Sequence, residues 1–130
     1  MRIRSLIKLV TLFTVGCLLV GCRGDRDALQ KYLAEDHPEL IAGAPEAVAG
    51  FAAIVGSNAP TEQRLQRFRK EVLNPYAAVV RRLEAYQPGH EVVRRHHDAY
   101  LEAARRQLQA FHEAAAAIEH GRSLEGAAGI

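Results

Sequence analysis

The chain has 130 residues, 17 basic against 15 acidic side chains and a net charge of +2. That length suits one domain with a real core, and the near balance of charge gives nucleic-acid binding no support. Hydroxyl nucleophiles are scarce: beyond residue 21, apart from tyrosines, there are only Ser57, Ser123 and Thr61, two of them in apparent loops and Thr61 at the opening of a helix. An acyl-transfer enzyme needs an activated nucleophile and an oriented base, so no catalytic residue is assigned and no enzyme is expected.

The first residues carry Arg2, Arg4 and Lys8, followed by an apolar run to Val20 that ends in small residues. A basic start, a short apolar stretch and a small-residue end form the pattern of a secretory signal. The run of about 15 residues falls short of the roughly 20 needed by a spanning helix, so export and removal of residues 1–21 is the expectation. Leu19-Val20-Gly21-Cys22 resembles the lipobox of bacterial lipoproteins. The resemblance implies that the Cys22 thiol is lipidated and becomes the first residue, while Cys17 is discarded with the signal. Two or three acyl chains hold a protein stably at a bilayer where one would be marginal. Arg23 stands where, in the family rule of enteric bacteria, an aspartate would favour the inner membrane. The resemblance therefore points to the cell envelope, with the outer membrane facing the periplasm as the expected address in a Gram-negative cell.

Removal of residues 1–21 takes three basic residues and no acidic one. The mature chain of 109 residues then carries 14 basic and 15 acidic side chains, a net −1. With Cys22 acylated no free thiol remains, which excludes disulfides, zinc–thiolate sites, iron–sulfur clusters and covalent haem within one chain.

Apolar spacing predicts three long helical segments. The first covers 25–55, with Leu29, Leu33, His37, Leu40, Ala44, Val48, Phe51 and Val55 as its stripe. Pro38 and Pro45 interrupt it, and a proline inside a helix kinks or breaks it. Gly56-Ser57-Asn58-Ala59-Pro60 is a turn cluster. The second segment covers 60–86, with Leu65, Phe68, Val72, Tyr76, Val79, Leu83 and Tyr86; Pro75 should bend it and deprive the Glu71 carbonyl of its partner. After Gln87-Pro88-Gly89 the third covers 91–119, with Val93, His97, Tyr100, Ala104, Gln107, Phe111, Ala114 and Ile118 in heptad spacing. His120-Gly121 is a stop signal. The expected fold is all-α: an antiparallel bundle of three long helices, or four if the first breaks at Pro38 or Pro45. Residues 22–24 form a lipidated start and short tether, 25–120 the bundle and 121–130 a loose tail.

His90, His96, His97 and Asp98 invite a metal reading, but helical metal sites place ligands three or four residues apart. No ligand follows His96 or His97 at that spacing, so no metal and no cofactor are assigned. His97 lies in the seam and, if buried, needs hydrogen-bond partners; His97, Tyr100 and Gln107 form a candidate buried polar or ligand site. On the outer face of the third segment Glu91–Arg95, Arg94–Asp98 and Glu102–Arg106 are expected ion pairs. Arg64, Arg67, Arg69 and Lys70 form a dense basic stretch, read first as solvated surface and otherwise as a docking patch for an acidic partner or lipid headgroup.

Lipobox and helical pattern together resemble the small helical lipoproteins of bacterial envelopes. The expected function is that of a membrane-anchored, non-enzymatic interaction module binding a protein partner, with no nucleic acid. The alternative is a periplasmic ligand-binding bundle for a metal, haem or small apolar molecule.

Overall fold

The structure, a computed structural model, describes residues 23–121; the proposed signal, Cys22 and the tail beyond Gly121 lie outside the described residues. Among those described, the chain is all helical, with four helices and no strand. Helix α1 spans Arg23–Leu40, so Arg23 and Gly24, read from sequence as tether, are helical. Helix α2 is Ala44–Val55. Helix α3 begins as Thr61–Phe68 and ends as Asn74–Ala85, and α4 is Glu91–Glu119.

The first segment breaks, and does so just ahead of Pro45. Ile41, Ala42 and Gly43 form a turn, α1 and α2 are bent by 50°, and Gly43 adopts φ +91°, a left-handed conformation open to glycine at little cost. Pro45 then sits in the first turn of α2, where its missing N–H is no loss. The carbonyls left over at the end of α1 are met from α3: the Arg82 guanidinium donates to Leu40 O at 3.2 Å and to Ala42 O.

Pro38 and Pro75 break nothing, because each follows a π turn. Tyr32–Asp36 precedes Pro38, with the His37 N–H bonded to Tyr32 O; Arg69–Leu73 precedes Pro75, with the Asn74 N–H bonded to Arg69 O. A proline ring collides with the carbonyl four residues back. The extra residue of a π turn relieves that collision and rotates everything downstream by one position. The Glu71 carbonyl, which Pro75 cannot bond, is approached by α2 at Gly50, where a Cβ would lie 3.5 Å from it.

Re-phasing changes which residues are inside. Tyr32, outside the expected stripe, is buried; in α2 Ala44 is buried and Phe51 packs on the core as expected, but Ala47 and Ile54 enter the core and Val48 and Val55 are exposed. In α3 the expected stripe is buried from Phe68 to Leu83, with Leu73 and Val80 added. In α4 Val93, His97, Ala104, Phe111, Ala114 and Ile118 are buried, but Gln107 is exposed and Leu108 packs on the core in its place. This helix buries a stripe wider than a two-residue seam, and Gln107 falls on its margin. The centre of the apolar core is aromatic: the Phe111 ring lies 5.4 Å from Phe51, 6.2 Å from Phe68 and 5.1 Å from Tyr76.

Of the outer ion pairs on α4, Glu91–Arg95 and Glu102–Arg106 form, at 3.7 and 3.0 Å. Arg94 turns back to Glu91 at 2.8 Å in place of Asp98. Phe111→Ala, emptying the middle of the aromatic core, should cost about 3–5 kcal/mol, while Gln107→Ala should change stability by less than about 0.5 kcal/mol. Thermal melts of both variants check the packing of α4; similar losses from the two would show the helix to be turned differently.

Candidate functional site

Below the aromatic core, where α1 meets α3 and α4, lies a second cluster made of tyrosines and histidines. Its centre is His97, 1% exposed and the only buried polar or charged residue among those described. Its Nε2–H donates to the Leu83 carbonyl at 2.8 Å, since a carbonyl can only accept. Leu83 lies in the last turn of α3, so the imidazole caps a carbonyl without a helical partner. With the proton on Nε2, Nδ1 of the neutral ring accepts, and the Tyr32 hydroxyl donates to it at 2.8 Å. One side chain of α4 thus ties α1 to the end of α3.

The π turn in α1 makes the rest of the cluster. It brings His37, five residues after Tyr32, to the same face, with Nδ1 3.4 Å from the Tyr32 hydroxyl. The His37 ring stacks edge-on against Tyr100 at 4.5 Å and lies 6.5 Å from His96. Tyr86, just past α3, stands 5.8 Å from Tyr32 and 5.2 Å from His97 and donates to Asp36 Oδ2 at 2.7 Å. Further down, His90 caps α4 by accepting from the Val92 N–H and faces Asp25 at 3.2 Å.

Burial shapes the acid–base character of these groups. It pushes the Tyr32 phenol up to about 12, helped by Tyr86, Tyr100 and Asp36, and the Tyr76 phenol up to about 12. Tyr86 also rises to about 12, chiefly because its hydrogen bond to Asp36 requires the proton. Tyr100 rises by burial. His37 is held below the ordinary histidine value by burial first and then by His96 and His97; His96 is lowered by burial and then by His97.

Both ring nitrogens of His97 are engaged, so in this arrangement neither can ligate an iron or another metal ion. Among the described residues no group of three or more His, Cys, Asp or Glu is placed to hold a metal ion. Two open clefts flank Tyr86 and Pro88: one of about 420 Å³ bordered by Leu83, Arg94, His97 and Asp98, and one of about 190 Å³ bordered by Lys31, Tyr32, Asp36 and His90.

Of the residues expected at a buried polar site, the structure unites His97 and Tyr100. Gln107 is exposed and, at 1.5 Å per residue, lies about 15 Å further along α4. Tyr86, by sequence one of the possible partners of His97, stands beside its ring without bonding it, while Tyr32, His37 and Asp36 carried no mark in the sequence as site residues. In the basic stretch, Arg67 forms two hydrogen bonds to Glu71, both 3.2 Å, and Arg64 is half-buried with its Nε atom unpartnered. Arg69 and Lys70 are exposed on the π turn of α3. Beside that turn, α2 exposes Pro45, Val48, Ala49, Ala52, Ala53 and Val55, with Glu46 as its single charged residue.

Tyr32→Phe strips His97 Nδ1 of its donor inside the domain and should cost about 1–3 kcal/mol. Denaturant melts at neutral pH check this, and a loss under about 0.5 kcal/mol would show that the hydroxyl does not hold α1 in place. Comparison of the chain with protein-family models, with curated proteins and with solved structures finds no match.

Proposed function

We propose that this is a bacterial envelope lipoprotein, anchored through an acylated Cys22 and carrying a non-enzymatic helical domain that binds a protein partner. The observation that carries the binding reading is the outer face of α2. Val48 is 51% and Val55 39% exposed, the exposed large apolar side chains among those described, and alanines lie between them. A contiguous apolar surface rimmed by polar groups marks an interaction site. The rim on one side is Arg69 and Lys70, so the fitting partner presents an apolar ridge edged with acidic residues.

The anchor follows from Leu19-Val20-Gly21-Cys22, and a helix begins directly after it at Arg23, which would keep the domain close to the membrane. Among the described residues no single helix is long and apolar enough to cross a bilayer. The domain reads as an antiparallel bundle in its longest part: Leu83 meets His97 and Phe68 meets Phe111, so α3 and α4 run in opposite directions. Arg23 in place of aspartate favours the outer membrane, with the domain in the periplasm.

Two measurements test this reading. Cys22→Ser should abolish incorporation of a fatty-acid label in cells; a label that persists refutes the anchor. A photo-crosslinker at Val48 should give a discrete protein adduct that Val55→Glu removes, while one at Gln109, exposed on α4, should not. No adduct at Val48, or the same adduct from both positions, refutes the α2 surface.

A further inference from the structure

The two clusters do different work. The aromatic and aliphatic core is built by α2, α3 and α4, with Ile54, Phe68, Val79, Leu83, Phe111 and Ile118 fully or almost fully buried. Helix α1 contributes little to it: Tyr32 is the single buried side chain in its three stretches, and Leu40 packs on the core only partly buried. What holds α1 is the polar cluster, through Tyr32 to His97, Asp36 to Tyr86 and His37 against Tyr100. A cleft bordered by Ala28, Lys31, Tyr32 and His90 opens beside that junction.

We propose that α1 is an acid-releasable helix: protonation of His37 and His96 drives it off α3 and α4 while the core of α2, α3 and α4 stays packed. Besides each other, these two imidazoles face Tyr32 from α1 and His97 and Tyr100 from α4, and Asp36 and Tyr86, bonded to each other, adjoin Tyr32. None of the groups that act on them is anionic: burial and the neighbouring histidines are what bear on both rings. Asp36, the carboxylate within the cluster, already accepts from Tyr86, and the phenols keep their protons far above neutrality. Two imidazolium ions would therefore meet each other 6.5 Å apart with His97 behind them. Both histidines sit below the ordinary value of about 6.5 when docked, chiefly through burial, and rise towards it when α1 leaves. The released state then takes up protons that the docked state refuses. Docking is at full strength above about pH 6.5 and is lost as pH falls through the depressed values. The His90–Asp25 contact, 3.2 Å long, joins the start of α1 to the start of α4 and plays no part in the trigger. Arg82, which holds the far end of α1 at Leu40 and Ala42, keeps its charge throughout and would serve as the hinge.

Hydrogen exchange of the full chain in detergent, corrected for the intrinsic effect of pH, reads this directly. Between about pH 7.5 and pH 5, above the ordinary aspartate range, protection of residues 23–40 should fall more than about threefold. Protection around Val79 and Phe111 should hold. In the double variant His37→Gln, His96→Gln the pH response of α1 should disappear, and in His96→Gln alone it should shrink, a milder change that keeps the test valid if the double variant docks poorly. Loss of protection in all helices together, no loss in α1, or a loss undiminished by His96→Gln would overturn the proposal. The experiment does not depend on lipidation, so it stands or falls apart from the anchor. With the anchor at Cys22, release of α1 would free the core domain from the bilayer by the length of that helix.

Discussion

The organisation of this domain depends on a missing hydrogen. Pro38 has no N–H to give and a ring that cannot pass the carbonyl four residues earlier, yet it lies in the interior of a helix. The chain solves this with a five-residue turn from Tyr32 to Asp36, and the solution sets the geometry of everything around it. Tyr32 and His37 come to share a face, Tyr32 reaches His97, and His97 is left aimed at the open end of α3. The same device before Pro75 frees the Glu71 carbonyl, next to which α2 carries a glycine. Two prolines therefore decide where the first helix docks and how closely the second approaches.

His97 shows how a buried polar group can be retained at low cost. A lone imidazole in a core would be destabilising, whereas one with both nitrogens satisfied joins three chain segments. Its partners differ in kind: a phenol that keeps its proton and a carbonyl left over by helix termination. The arrangement is directional, so it fixes the axial register of α1 more sharply than apolar contact could. It also makes that register sensitive to the neighbouring histidines, which an all-apolar junction would not be.

Much of the fold was legible in the sequence, and the failures have one source. The bounds of α4 followed from apolar spacing and from the Pro88-Gly89 turn, and the stripe of α3 from Phe68 to Leu83 was legible even across the π turn before Pro75, which adds Leu73 and Val80 to the buried side. The first segment was less so, because a π turn adds a residue that a fixed period of 3.6 cannot represent. Tyr32 turns inward at its start, and in α2 Ala44 and Phe51 of the expected stripe pack on the core while Ala47 and Ile54 take the places expected of Val48 and Val55. His97 was singled out by its place in the seam, but its partners come from 65 and 14 residues away and carry no local mark. Gln107 was placed inside by strict heptad counting, which a helix packed on two neighbours does not obey.

The most direct measurement of the central claim is the tautomer of His97 by nitrogen NMR of the imidazole at neutral pH. A single neutral form with its proton on Nε2, slow to exchange and close to both Leu83 and the Tyr32 hydroxyl, is the expected result. A proton on Nδ1, or a ring averaging between the two forms, would contradict the bridge on which the docking of α1 rests.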